Sequence, residues 1–332
     1  MILSLYQNRD NRILENKMNI TRREMIQIGA GASAGLMLGC TVAEEIDRGL
    51  ITKEIPSTGE SIPVIGLGGR NYRLGEGWAE NTDGYRATLG TFYELGGRLI
   101  DTSPNYGDSE IIVGNLLQEL GIRDDLFLAT KVDRQEKEEG LQRMQGSLER
   151  MHTDHFELMQ VHNLRGWETQ IPTLREWKQE GRIKYLGITT SSDRQYEQME
   201  QIMLQEKLDF IQVDYAADNR TAEERLLPLA QDLGVGVLVN MPFGRGRLFS
   251  RVGDRQLPEW AAEFGCESWG QFFLKYVVSH PAVTAAIPGT TSERNAVDNI
   301  EAGKGLLPTS QIRSRMEEFI DALPPVERSP RS

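Results

Sequence analysis

Alternation constrains this chain more than any other feature. From about residue 50 onward, short runs rich in β-branched and aromatic residues trade places with stretches of helical periodicity. The short runs fall at 64–67, 99–101, 127–131, 158–162, 185–189, 210–214, 235–239 and 284–287. Helical stretches at 85–95, 111–120, 140–151, 194–204, 222–233 and 269–278 lie between them. This is the pattern of parallel β/α units, and eight such units close on themselves, so the expected fold class is α/β, a (β/α)8 TIM barrel. A hairpin, 51–53 against 59–61, precedes the first strand. No Pro/Gly/Ser-rich linker or repeat divides residues 50–325, which read as one domain, and 326–332 reads as a flexible tail because it has little apolar content.

Composition removes several functions. With 37 Lys and Arg against 49 Asp and Glu, the formal charge is -12, which argues against a nucleic-acid surface or a polybasic membrane patch. Two cysteines, Cys40 and Cys266, cannot make a disulfide framework. The histidines His152, His155, His162 and His280 show no metal-ligand spacing, so no metal is expected.

The first 43 residues are not expected to belong to the barrel. Thr21, Arg22 and Arg23 precede a weakly hydrophobic run, 25–38, rich in Ala and Gly. The run is shorter than the roughly 20 apolar residues that a bilayer requires, and it resembles a twin-arginine export signal. Cleavage after Ala43 and lipidation at Cys40 are both compatible with the residues at its end. The expected location is therefore periplasmic or lipid-anchored, with the translocase as a partner and membrane contact only through Cys40. An unprocessed, disordered extension is the alternative and would leave the protein in the cytoplasm. Translation from Met18 instead of Met1 would remove the extension that precedes the arginines. A rival reading takes Gly29, Gly31 and Ala34 as a G-x-G-x-x-A dinucleotide fingerprint, but no second strand follows to carry the acidic ribose ligand.

Reactive groups of such barrels sit at the C-terminal ends of strands. Asp101 ends the second expected strand, Lys131 the third and His162 the fourth, and Tyr106 lies five residues beyond Asp101 over the same mouth. Reducing a carbonyl requires an acid for its oxygen, and a free tyrosine, with a pKa of about 10, is poorly matched to that task. A cation beside the phenol stabilises phenolate, which suits Lys131, while Asp101 can anchor the ammonium and His162 can donate to the developing oxyanion. Singly, each residue has a structural explanation; their convergence on one mouth favours chemistry.

The segments 101–107, with Ser109, Glu110 and Gly114, then 129–131 and 160–163, resemble the aldo-keto reductase superfamily in content and order. The resemblance covers about residues 51–301. It implies an NAD(P)-dependent oxidoreductase with Tyr106 as general acid, Lys131 and Asp101 tuning it, and His162 on the substrate oxygen. The implied cofactor is NADP, with NAD as the alternative. The implied nucleotide contacts are Asn163, Thr189, Thr190 and Gln212, then Phe243, Gly244 and Arg245 over the pyrophosphate. Pro288, Gly289, Thr290, Arg294, Asp298 and Asn299 follow at the adenosine end. This chain departs from the family where Thr189 and Thr190 replace a Ser-Asn pair and Asn240 replaces a stacking aromatic. Gly289 and Asn295 stand where cations are frequent, which leaves Arg294 to face the 2'-phosphate.

The expected substrate is a small carbonyl compound in a pocket walled by Tyr72 or Trp78, Asn163, Trp167 and Phe243. A nucleotide-binding redox sensor with little turnover is the alternative, and a pure interaction protein would not need Tyr106 or Lys131.

Overall fold

A computed structural model describes residues 49–74 and 82–324. Arg22, Arg23, Cys40, Ala43, Trp78 and the 326–332 tail lie outside the described residues.

Eight parallel strands run in sequence order around the fold: β3 (Leu67–Gly68), β4 (Leu99–Asp101), β5 (Phe127–Val132), β6 (Phe156–Val161), β7 (Ile183–Thr189), β8 (Phe210–Asp214), β9 (Gly236–Asn240) and β10 (Ala285–Ala286). The sheet closes on itself through parallel bridges from Ile65 to Ala286 and from Gly68 to Gly289. The Gly68 amide donates to the Pro288 carbonyl at 3.0 Å. A Cβ on Gly68 would come within 2.9 Å of the Ile287 carbonyl oxygen, so the seam needs a residue without a side chain there. The expected (β/α)8 barrel is the observed fold.

The hairpin precedes it as β1 (Thr52–Glu54) and β2 (Ser61–Pro63), its second arm two residues later than expected because 55–60 are spent on the turn. That turn, closed by Gly59 N–H on the Ile55 carbonyl at 2.8 Å, leaves Ile55 fully buried. The first barrel strand is shorter and later than expected, and β6 ends at Val161, so His162 opens a 3-10 turn. Helices α1 (Thr82–Glu94), α2 (Ser109–Leu120), α3 (Lys137–Arg150), α4 (Trp167–Gln179), α5 (Tyr196–Gln205), α6 (Leu226–Leu233), α7 (Arg247–Val252), α8 (Trp269–Val278), α9 (Glu293–Glu301) and α10 (Ser310–Asp321) connect and surround the strands. α4 was not among the stretches read from sequence; it carries Pro172 inside, a residue that ordinarily argues against a helix interior.

Strand alternation sorts the side chains into two cores. On β5, Phe127 and Ala129 belong to an inner cluster with Leu99, Leu158, Tyr185, Phe210, Leu238 and Ala285, whereas Leu128 and Val132 pack outward under the helices. Continuing the inner parity upward reaches Asp101 from Leu99, Lys131 from Ala129, Gln160 and His162 from Leu158, Thr189 from Tyr185, Gln212 from Phe210 and Asn240 from Leu238. The same faces that fill the barrel below line its mouth above.

Candidate active site

Lys131 is 1% exposed and its ammonium meets three acceptors. Nζ lies 2.8 Å from Asp101 Oδ1, 2.6 Å from Asp101 Oδ2 and 2.7 Å from the Thr102 carbonyl. Gln160 and Gln212 also donate to Asp101, at 3.3 and 3.4 Å, so the buried carboxylate is surrounded by donors. Burial by itself lowers the Lys131 pKa, but the charge of Asp101 and the Tyr106 phenol outweigh it and hold the group above its ordinary value. The ammonium also sits 5.1 Å from the centroid of the Tyr106 ring.

Tyr106 is half-buried on the β4–α2 loop, where its own carbonyl accepts from the Arg73 guanidinium. Glu110 pins the far end of this loop, accepting from Thr130 Oγ1 at 2.6 Å and Arg150 Nε at 2.8 Å. The His162 ring meets the Tyr106 ring edge-on, centroids 5.8 Å apart. Burial, then the nearby Lys131 charge, pushes the His162 pKa down to about 3, so the imidazole is neutral near neutral pH. Asp101, Tyr106, Lys131 and His162 are therefore brought to one mouth.

The rest of the mouth is a polar arc on β7 to β10. Thr189 and Gln212 are register partners on β7 and β8, both 2% exposed. Thr190 donates to Gln195 Oε1 at 2.7 Å, and Asn240 Nδ2 donates to the Thr190 carbonyl at 3.0 Å. Among the described residues, positive φ at non-glycine positions occurs at Asn163, Leu164, Met241 and Arg245 in loops above this arc, and otherwise only at His152. Such left-handed backbone concentrates where structure holds a loop for a purpose other than its own stability.

The sequence profile of the Aldo/keto reductase family matches residues 64–320. The chain belongs to the aldo/keto reductase family. It is similar to the aldo-keto reductase YhdN of Bacillus subtilis, 32% identical over 215 residues, covering 60% of this chain and 63% of that protein. The chain thus spans under two thirds of the Bacillus protein's length. L-galactose dehydrogenase of Arabidopsis thaliana is 25% identical over 308 residues, covering 83% of this chain and 95% of the plant protein. Among solved structures, an aldo/keto reductase of Klebsiella pneumoniae in complex with NADP and acetate superposes with a TM-score of 0.67 at 25% identity, covering 82% of this chain and 95% of that one.

A nicotinamide nucleotide fits the residues this mouth offers. Gln212 Oε1 and Asn240 Oδ1 are buried acceptors without a partner among the described residues, and a carboxamide N–H₂ is the type of donor that satisfies them. Gly244 is buried at φ 56°, and Arg245 beside it is exposed, with Nε on Met241 Sδ at 2.9 Å. Phe243 packs on Phe249, centroids 5.0 Å apart, which braces that loop from behind. Pro288 and Thr290 are buried next to the barrel seam, and Gly289 and Arg294 are exposed. Asn299 is buried on α9, whereas the Asp298 carboxylate is taken up by Ser268 Oγ and Gln271 Nε2, both at 2.8 Å. Asn163 is exposed and its carbonyl accepts from Gln195 Nε2 at 2.9 Å.

Of the expected pocket walls, Tyr72 is corrected: it is fully buried against Tyr85, centroids 4.8 Å apart, and lines no open surface. Trp167 is half-buried at the start of α4. Sequence reasoning missed Gln160, Asp133 and Ser103. The first two follow from the period of two, since Gln160 precedes His162 and Asp133 follows Lys131 by one full pleat. Ser103 carries the same signal, standing one full pleat beyond Asp101.

Proposed function

We propose that this reductase converts a small aldehyde or ketone to its alcohol with Tyr106 as the general acid. The observation that carries the proposal is the ammonium of Lys131, fixed by both oxygens of Asp101 and set beside the Tyr106 ring. A bound reduced nicotinamide would supply the hydride that the carbonyl carbon accepts, and would itself be oxidised. Tyr106 gives its phenolic proton to the carbonyl oxygen, and the O–H bond broken on the tyrosine is replaced by one on the alcohol. Lys131 stabilises the phenolate left behind, which recovers a proton from solvent. Asp101 keeps the ammonium charged and in place. Neutral His162 donates a hydrogen bond to the carbonyl oxygen as negative charge builds there. Asn163, Thr189, Thr190, Gln212 and Asn240 bind the nicotinamide end, and the Phe243–Arg245 loop covers the pyrophosphate. Pro288 to Thr290 with Arg294 and Asn299 hold the adenosine end, while Asp298, expected there, instead ties α9 to Ser268 and Gln271 at the start of α8.

NADPH is the proposed cofactor, supported by the nucleotide in the Klebsiella relative and by Arg294 as an exposed cation. An Escherichia coli relative, 28% identical over 236 residues, is named an NADH-specific methylglyoxal reductase, so both nucleotides belong in the test. Fluorescence titration of the full chain with NADPH and NADH, for wild type and Tyr106→Phe, separates the readings. Binding by both proteins with aldehyde reduction lost only in Tyr106→Phe is expected. Binding without turnover by the wild type would favour the redox-sensor reading instead.

Export through the twin-arginine route is proposed from Arg22, Arg23 and the 25–38 run. Fractionation of cells expressing wild type and an Arg22→Lys, Arg23→Lys variant tests it: the wild type is expected outside the cytoplasm and the variant inside. Equal cytoplasmic retention of both would remove the proposal.

A further inference from the structure

A neutral imidazole carries one ring proton, and His162 can act as a donor to substrate only if that proton is on the nitrogen facing away from its protein partners. Nε2 has no partner among the described residues, and Nδ1 has two neighbours. Ser103 Oγ, fully buried, lies 3.2 Å from Nδ1. The same oxygen accepts from the Asn105 backbone N–H at 3.2 Å, and its hydroxyl proton has no other acceptor among the described residues than an unprotonated Nδ1. Asn105 Nδ2 stands 3.5 Å from Nδ1.

The orientation of that amide is set by two charges. Asn105 Oδ1 accepts from the Arg143 guanidinium, and Nδ2 donates to Asp133 Oδ2 at 2.5 Å. Reversing the amide would put oxygen against carboxylate and N–H₂ against guanidinium. Asp133 is 7% exposed and also accepts from Arg134 Nη1 at 2.7 Å, which fixes the carboxylate beside the amide. An Nδ1–H would therefore point at an amide that cannot accept, while an unprotonated Nδ1 receives one good donor and one longer one.

We propose that Ser103 and Asn105 are positioning residues that hold His162 Nδ1 as an acceptor and commit the ring's proton to Nε2, with Arg143 and Asp133 locking the Asn105 amide for that purpose. The catalytic consequence rests on the reductase reading above; the tautomer itself does not.

The test is nitrogen NMR of the full chain labelled at histidine, with the His162 signals assigned by their loss in His162→Gln. The wild type is expected to carry its proton on Nε2. Asn105→Asp, nearly the same shape, places an acceptor where a donor stood; it is expected to draw the proton to Nδ1 and lower kcat roughly 100-fold, with nucleotide affinity unchanged. Asn105→Ala, which removes more volume but introduces no acceptor, is expected to cost roughly tenfold. Ser103→Ala is expected to cost about the same, and Ser103→Thr, which restores a hydroxyl, to recover most of it. A space-filling role reverses the order, with Asn105→Ala worse than Asn105→Asp, and that result overturns the proposal. So does a wild-type proton on Nδ1, or a tautomer that Asn105→Asp leaves unchanged. If the wild type reduces no aldehyde, the NMR result still decides the tautomer, and the reductase reading fails separately. If one variant does not fold, the wild-type spectrum and the other position decide.

Discussion

The two ends of this barrel are built from the same strands and the same inward faces, yet they solve opposite problems. At the lower end, Phe127, Tyr185 and Phe210 meet with centroids 5.5 to 6.0 Å apart, and Ile55 and Ile62 of the hairpin close over them. A Cβ on Gly236 would come within 2.7 Å of the Phe210 ring, which shows how little space is left. The Tyr185 hydroxyl there is satisfied by Thr58 at 2.7 Å and Glu60 at 2.5 Å. Two pleats higher, the mouth buries an ion pair and leaves the amide oxygens of Gln160, Gln212 and Asn240 without partners among the described residues. Unpaired buried acceptors cost stability, so their concentration at one end marks where ligand contacts substitute for internal ones.

The contrast is broken most sharply at Lys131. Lys131→Met is expected to lower kcat/KM by about 1000-fold or more and also to cost ~3–5 kcal/mol, because Asp101 is left buried and unpaired. Combining it with Asp101→Asn should return much of the stability and none of the activity; steady-state kinetics and urea unfolding on the two variants read this directly. Recovery of activity in the double variant would mean that the charge pair is structural.

At the other end, Phe210→Ala should cost ~3–5 kcal/mol of stability and leave the nucleotide dissociation constant within about twofold. A large change in affinity would show that the two ends are not independent.

Acid sharpens the comparison next. Burial lowers His162 from 6.5 to about 3, and it lowers His280, outside the mouth, to about 4. Below pH 6.5 the unfolded chain takes up protons that the folded chain refuses, so stability is full above that pH and drains as pH falls toward the folded values. The His162 contribution has a slope of at most ~1.4 kcal/mol per pH unit. Urea midpoints at pH 7 and pH 5 should fall more for wild type than for His162→Gln, and equal drops would assign the acid sensitivity elsewhere.

The smallest effect is expected at the Tyr185 hydroxyl on the floor. Tyr185→Phe loses its two hydroxyl contacts and should cost ~1 kcal/mol, with kcat unchanged.

How much of this was legible without coordinates varies by element. The barrel was, because β-branched runs at regular spacing with helical stretches between them leave few alternatives. Asp101, Lys131 and His162 were also legible, since each ends an expected strand and the pleat aims it inward. Boundaries were less so: β6 stops one residue before His162, and β3 is only Leu67 and Gly68, because pairing at the seam depends on how closely Gly289 approaches. Tyr72 was misjudged, since its position in a loop says nothing of the Tyr85 ring that covers it. Asn105 stood in plain view beside Tyr106, but its partners Asp133 and Arg143 are 28 and 38 residues away.

What the amino-acid order determined alone is periodicity: which side of each strand is inner, and that apolar residues at the strand starts give way to Asp, Lys, His and Gln at the ends. That information is local, carried by alternation within five or six residues. The tertiary structure decided which inner-facing groups meet across strands, which acceptors stay unpaired and which nitrogen of His162 is engaged. Those outcomes depend on distances between residues far apart in the chain, and only the closing of the barrel brings them within hydrogen-bonding reach.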